Sequence, residues 1–211
     1  MASHSRDERA ALTDLLESLG PDAPTLCGDW TTHDLAAHLV VRERRPDVGL
    51  GALVPGLNAW AERARSGVRD GTPWEELLGQ LRAGAPAWSP LGNPVTDAAV
   101  NLLEFFVHHE DVRRAQPTWG PRVLPSRLED ELWTRLRILA PVATRKWSGG
   151  LILVAPGGRS MRVRRGEPGI TVSGAPSELA LFCSGRQRVA RVDLDGPAAE
   201  VAAVQKAPFR I

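Results

Sequence analysis

The stretch from Val95 to Ala115 runs without a glycine or a proline, and it constrains this chain more than any other feature. Leu102, Leu103, Phe106 and Val107 recur at helical spacing and form an apolar surface, and the run closes just before Pro117. One long amphipathic helix is therefore predicted, and such a helix needs other helices to cover its apolar side. Acidic, basic and histidine side chains interrupt the run, so it does not have the uninterrupted apolar length of a membrane span.

Partners for that helix are signalled on both sides of it. Ser5 with Glu8 fits a capping box that opens a helix running toward Leu19, where Gly20-Pro21 stops it. Thr31 with Asp34 fits a second box, predicting a helix over about 32–45 that ends at Pro46 and carries His33 and His38. A shorter helix is expected around 58–68. Thr72-Pro73-Trp74-Glu75 reads as a third start, with Thr72 as the cap and Pro73 at the first helical position. Ser126 with Glu129 opens a further helix through Leu132, Leu136 and Leu139, which must kink or stop near Pro141. After Trp147-Ser148-Gly149-Gly150 the texture changes to short β-type runs at 151–154, 161–163, 170–172 and 189–194, with helical pieces at about 176–184 and 197–205. The expected architecture is α+β, with a helical bundle over residues 1–146 and a small α/β domain over 147–211.

The formal net charge is +1, from 26 basic and 25 acidic residues, and names neither nucleic acid nor a membrane as partner. Cys27 and Cys183 form no CxxC pair and are expected as reduced thiols. Residues 1–9 are polar where a secretory signal needs an apolar core, which predicts a cytoplasmic protein. Monomer and homodimer both remain open. Only Lys146 and Lys206 are lysines among many arginines, a bias of high-GC bacterial genomes.

Candidate chemistry centres on the long helix. Glu104 and His108 are spaced i, i+4, about 40° apart around the axis, close enough to share a metal ion. Asp111 returns to the His108 face one turn on, where a carboxylate can orient an imidazole. His38, mid-helix between Leu35 and Leu39, is the best third donor, whereas His33 lies around the other side. Two imidazoles and a carboxylate leave one position of a four-coordinate ion open, as in catalytic sites. The same spacing equally describes an i, i+4 polar pair that adds roughly 0.2–0.5 kcal/mol to an isolated helix.

Two stretches carry a resemblance: Cys27-Gly28-Asp29-Trp30-Thr31 leading to Asp34-Leu35-Ala36-Ala37-His38-Leu39, and Glu104-Phe105-Phe106-Val107-His108 leading to Asp111-Val112. In order, spacing and context they resemble the DinB-like superfamily, and within it the mycothiol-dependent maleylpyruvate isomerase-like proteins of actinobacteria. The tail, with Thr171-Val172-Ser173-Gly174, Glu178-Leu179-Ala180-Leu181 and Ser184-Gly185-Arg186, looks more weakly like the small domain attached to those bundles. The resemblance implies a four-helix bundle holding a divalent ion, most often zinc, on His38, Glu104 and His108. It further implies a low-molecular-weight thiol such as mycothiol as co-substrate, and isomerase or S-transferase chemistry on a small electrophile. A metal- or ligand-binding module without turnover is the alternative. Arg186 is a candidate for a substrate or thiol carboxylate, and a solvated surface arginine is its plain alternative.

Overall fold

A computed structural model describes residues 4–45, 47–48 and 58–210. Among them are eight α-helices and one four-stranded sheet, a mixed α+β architecture. No helix among the described residues is long and apolar enough to cross a membrane. The chain divides into two compact units, Met1–Gly120 and Pro121–Ile211.

The first unit is helical: α1 (His4–Leu19), α2 (Thr32–Arg44), α3 (Asn58–Gly71), α4 (Trp74–Ala83) and α5 (Pro94–Arg114). The Thr31 capping box forms as the sequence predicts, with the Thr31 hydroxyl accepting from the Asp34 N–H and the Asp34 carboxylate accepting from the Thr31 N–H. The box expected from Ser5 and Glu8 does not form. The helix already begins at His4, the Ser5 hydroxyl is buried without a hydrogen-bond partner, and Glu8 instead accepts from His109 Nδ1 at 2.9 Å. At α4 the start lies one residue later than expected: Pro73, not Thr72, is the N-cap.

Helix α2 is buried nearly all round because α1, α3 and α4 pack on it. Its Leu35, Ala36, Ala37, Leu39 and Val40 join Leu12 and Leu16 of α1, Leu77, Leu78 and Leu81 of α4, and Phe105 and Val112 of α5 in one core. Helix α5, packed on α1, carries a run of buried polar groups: Asn101, His108, His109, Glu110, Asp111 and Arg114. Each is satisfied by an aimed partner, since a buried polar group left unpaired would cost about 1–3 kcal/mol. Asn101 accepts from Arg42, Glu110 accepts from Arg113 at 2.9 Å and Arg114 at 2.6 Å, and Arg114 lies 4.8 Å from the Trp119 ring centre.

The second unit holds α6 (Ser126–Ala143), the strands β1 (Gly150–Ala155), β2 (Arg159–Arg164), β3 (Gly169–Ser173) and β4 (Asp193–Asp195), and the helices α7 (Pro176–Cys183) and α8 (Ala198–Val204). The sheet order is β2-β1-β3-β4, with β1 parallel to β3 and both edge strands antiparallel. A Cβ on Gly150 would sit 2.3 Å from the Gly166 carbonyl oxygen, so the glycine that marks the change of texture in the sequence is required by close backbone approach. In the run expected as a strand over 189–194, the Val189 and Ala190 N–H groups donate to the Arg186 carbonyl, and only 193–195 pair, with β3.

The sequence reading divides the chain at 146/147, whereas the compact units divide at 120/121. Helix α6 makes the difference: it packs against α7 and β2. Glu129, expected to close a capping box with Ser126, instead accepts from the backbone N–H and the hydroxyl of Ser177, each at 2.8 Å, and so caps the start of α7. Pro125 stands at the α6 N-cap, and α6 continues past Pro141 to Ala143. This division uncovers a charge asymmetry that the near-neutral total conceals, because residues 1–120 are net acidic and residues 121–211 net basic.

Candidate metal centre

Two helices and one loop build the site in the first unit. Helix α2 presents His38, and α5 presents Glu104, His108 and Asp111. The loop before α2 brings Cys27 and Trp30. Its ends meet at a β-bridge between Pro24 and Thr31, the Thr25 hydroxyl donates to the Trp30 carbonyl at 2.8 Å and accepts from the Cys27 N–H at 3.1 Å, and Gly28 takes φ +72°, a conformation that favours glycine. The Leu26 N–H donates to the Asp111 carbonyl at 3.2 Å, which pins the loop to α5.

His38 Nε2 lies 3.3 Å and His108 Nε2 3.4 Å from the same oxygen, Glu104 Oε1, and donor atoms of the three residues all lie within 4.8 Å of one another. Ligands held tetrahedrally at about 2.0–2.1 Å stand about 3.3–3.4 Å apart, so both His–Glu separations match the edge of a metal tetrahedron. Arg42 Nε is 3.4 Å from Glu104 Oε1, and the Arg42 guanidinium is anchored by Asn101. On the far side of the imidazole, His108 Nδ1 donates to Asp111 Oδ2 at 2.9 Å, the hydrogen bond by which a carboxylate fixes a ligating histidine. Cys27 Sγ donates to the same Asp111 oxygen at 3.1 Å and lies 3.7 Å from His108 Nδ1.

Exposure falls with depth: the side chain of His38 is 31% accessible, Glu104 23%, His108 11% and Asp111 0%. Trp30 covers His38, its ring centre 5.1 Å from the imidazole, and the Arg65 guanidinium lies on Trp30 with its central carbon 4.7 Å from the ring centre. The site is polar, partly screened from water, and reachable from the His38 side.

Burial and charge order the protons. Burial disfavours the imidazolium of His108, but hydrogen bonds with Asp111, Cys27 and Glu104 outweigh it and lift its pKa well above the ordinary histidine value. Burial likewise works against ionisation of Glu104, and the Arg42 charge with the hydrogen bonds from His108 and His38 overcomes it, holding the carboxyl well below the usual range. For His38 burial prevails over the bond to Glu104, and its pKa is lowered. These shifts favour the charged forms of Glu104 and His108 and the neutral form of His38.

The structure brings His38, Glu104, His108 and Asp111 together. Arg186 lies in the second unit, after α7, where its guanidinium donates to the Ser184 carbonyl. His33, around the other side of α2, packs its ring 5.6 Å from that of Trp74. Cys27, Trp30 and Arg42 also shape the cluster. In the sequence, Cys27 and Trp30 stand out only as part of the stretch that carries the family resemblance.

No family model, no curated protein and no solved structure matches the chain.

Proposed function

We propose that the first unit is a DinB-like four-helix bundle that binds one divalent metal ion, zinc by preference, through His38 Nε2, Glu104 Oε1 and His108 Nε2. The observation that carries this reading is the convergence of these donors from two helices within 4.8 Å. The donor set is also right in kind: two imidazoles and one carboxylate suit a borderline ion, and the Asp111 hydrogen bond leaves His108 Nε2 as the ligating atom.

Three protein donors leave a coordination position for an exogenous group. The activity we propose is that of a mycothiol-dependent maleylpyruvate isomerase-like protein, an isomerase or S-transferase acting with a cytoplasmic low-molecular-weight thiol on a small electrophile. When bound, the ion would lower the pKa of the thiol and so supply a thiolate nucleophile at neutral pH. The chain's own residues do the rest. Asp111 fixes the plane of His108, Arg42 and Asn101 fix Glu104, and Trp30 limits the approach of water over His38.

Elemental analysis of untagged protein tests the reading, comparing the wild type with a His38→Ala, His108→Ala double variant shown by circular dichroism to be folded. One equivalent of metal in the wild type, lost in the variant, is expected. A wild type that stays metal-free after zinc reconstitution overturns it. Saturating thiol should then perturb the visible spectrum of the cobalt form, and an unchanged spectrum removes the catalytic part of the proposal while leaving the metal site.

A further inference from the structure

His108 faces two donor sets at once, one at each ring nitrogen. On the Nε2 side stand His38 and Glu104, and on the Nδ1 side Cys27 Sγ and Asp111 Oδ2. The second set meets the same geometric standard as the first, with donor atoms of all three residues within 4.8 Å of one another. We propose that Cys27, His108 Nδ1 and Asp111 form a second position for a divalent cation, selective for thiophilic ions such as Cd2+, and alternative to the first because both use His108.

The argument begins with the loop. Cys27 is held near α5 by the Leu26 N–H bond to the Asp111 carbonyl at 3.2 Å and by the closed turn around Gly28. The Sγ–Oδ2, Nδ1–Oδ2 and Sγ–Nδ1 separations are 3.1, 2.9 and 3.7 Å, a compact triangle that an ion can enter by displacing the thiol proton and the Nδ1 proton to solvent. Softness separates the two sets: sulfur appears only in the second, and thiolate donors draw soft ions away from nitrogen and oxygen sites. Charge separates them in the same direction. A thiolate and Asp111 together neutralise a dication, whereas Glu104 stands alone in the first set and already has Arg42 at 3.4 Å.

Exclusivity follows from the imidazole. A neutral ring has one lone pair, and the nitrogen that does not ligate carries a proton that needs an acceptor. Both acceptors are in place. With an ion at Nε2, Nδ1–H donates to Asp111, and with an ion at Nδ1, Nε2–H faces Glu104 at 3.4 Å. Each carboxylate that ligates in one arrangement orients His108 in the other, so the two positions exchange by a change of tautomer without moving the ring. The second position shares a residue with the proposed function but does not require that the first ever binds metal.

Titration of chelator-treated protein with Cd2+, followed by the ultraviolet sulfur-to-cadmium charge-transfer absorption, tests the inference in the wild type, Cys27→Ser and His38→Ala. The band should grow to one equivalent in the wild type and in His38→Ala, and be lost in Cys27→Ser, which retains Cys183 as an internal control. Cd2+ that binds wild type without the band, or fails to bind at all, overturns the second position. A band lost in His38→Ala also overturns it, because Cys27 would then be reaching an ion held by the first set. Zn2+ also accepts thiolate donors, so the first position is read separately by Zn2+ binding to Cys27→Ser with and without His38→Ala added. If His38→Ala abolishes Zn2+ binding in the Cys27→Ser background and His38→Ala alone keeps the Cd2+ band, both proposals stand, and if Zn2+ binding survives in the double variant while the band persists in His38→Ala, only the first fails.

Discussion

Replacing Asp34 by Asn tests how α2, and with it His38, is anchored. The Asp34 side chain is buried and accepts from the Thr31 N–H at 3.0 Å, from Arg69 Nη1 at 2.9 Å and from Arg65. Burial alone would raise its pKa, but the Thr31 hydrogen bond and the two arginines prevail and lower it from 3.8 to about 2. At ~1.36 kcal/mol per unit, that depression corresponds to roughly 2 kcal/mol of folding stability. Because the folded pKa lies below the unfolded one, this stability is present in full above about pH 4 and is lost as pH falls toward about 2. Asp34→Asn should therefore destabilise the first unit by roughly 2 kcal/mol at neutral pH, and the gap from wild type should close on acidification through that window. Urea unfolding followed by tryptophan fluorescence and circular dichroism at a series of pH values measures it. Equal stability at neutral pH, or a gap that does not narrow in acid, refutes the reasoning.

Two further outcomes are expected. A divalent ion on the Nε2 side must displace the Nε2 proton of His108, whose pKa the hydrogen bonds with Asp111, Cys27 and Glu104 raise, so apparent affinity should rise up to about tenfold per pH unit on the acid side of that raised pKa and level off above it; competition with a chromophoric chelator across neutral pH reads the slope, and a flat profile rejects it. Glu129→Ala should cost about 1–2 kcal/mol in thermal or urea unfolding because it uncaps α7, while Ser126→Ala, which removes no cap, should stay within about 0.5 kcal/mol; equal effects of the two substitutions would contradict the capping assigned here.

Local chemistry was legible in the sequence and distant recruitment was not. The Thr31–Asp34 box closes over one helical turn, so its residues alone specify it. Ser5 with Glu8 and Ser126 with Glu129 have the same lettering, yet both glutamates are claimed from afar, one by His109 and the other by Ser177. An amphipathic stripe likewise announces that α6 must be covered but not by which neighbour, which is why the sequence division and the compact units differ. The same rule governs the site. Glu104, His108 and Asp111 share one helix and could be related by angle, while Cys27 reaches His108 across 81 positions and leaves no periodic trace. Arg42 reads as a favourable charge near the α2 C-terminus, and only tertiary packing shows it beside Glu104.

The division at 120/121 bears on how such a chain can be assembled and recombined. A splice at residue 146 would leave Glu129 behind and present Ser177 and β2 without the helix that packs on them, so the tail would travel as a damaged part. A splice at 120 moves α6 together with everything it caps and covers. That boundary is also the point where the chain changes sign, from an acidic unit that holds the histidines to a basic one.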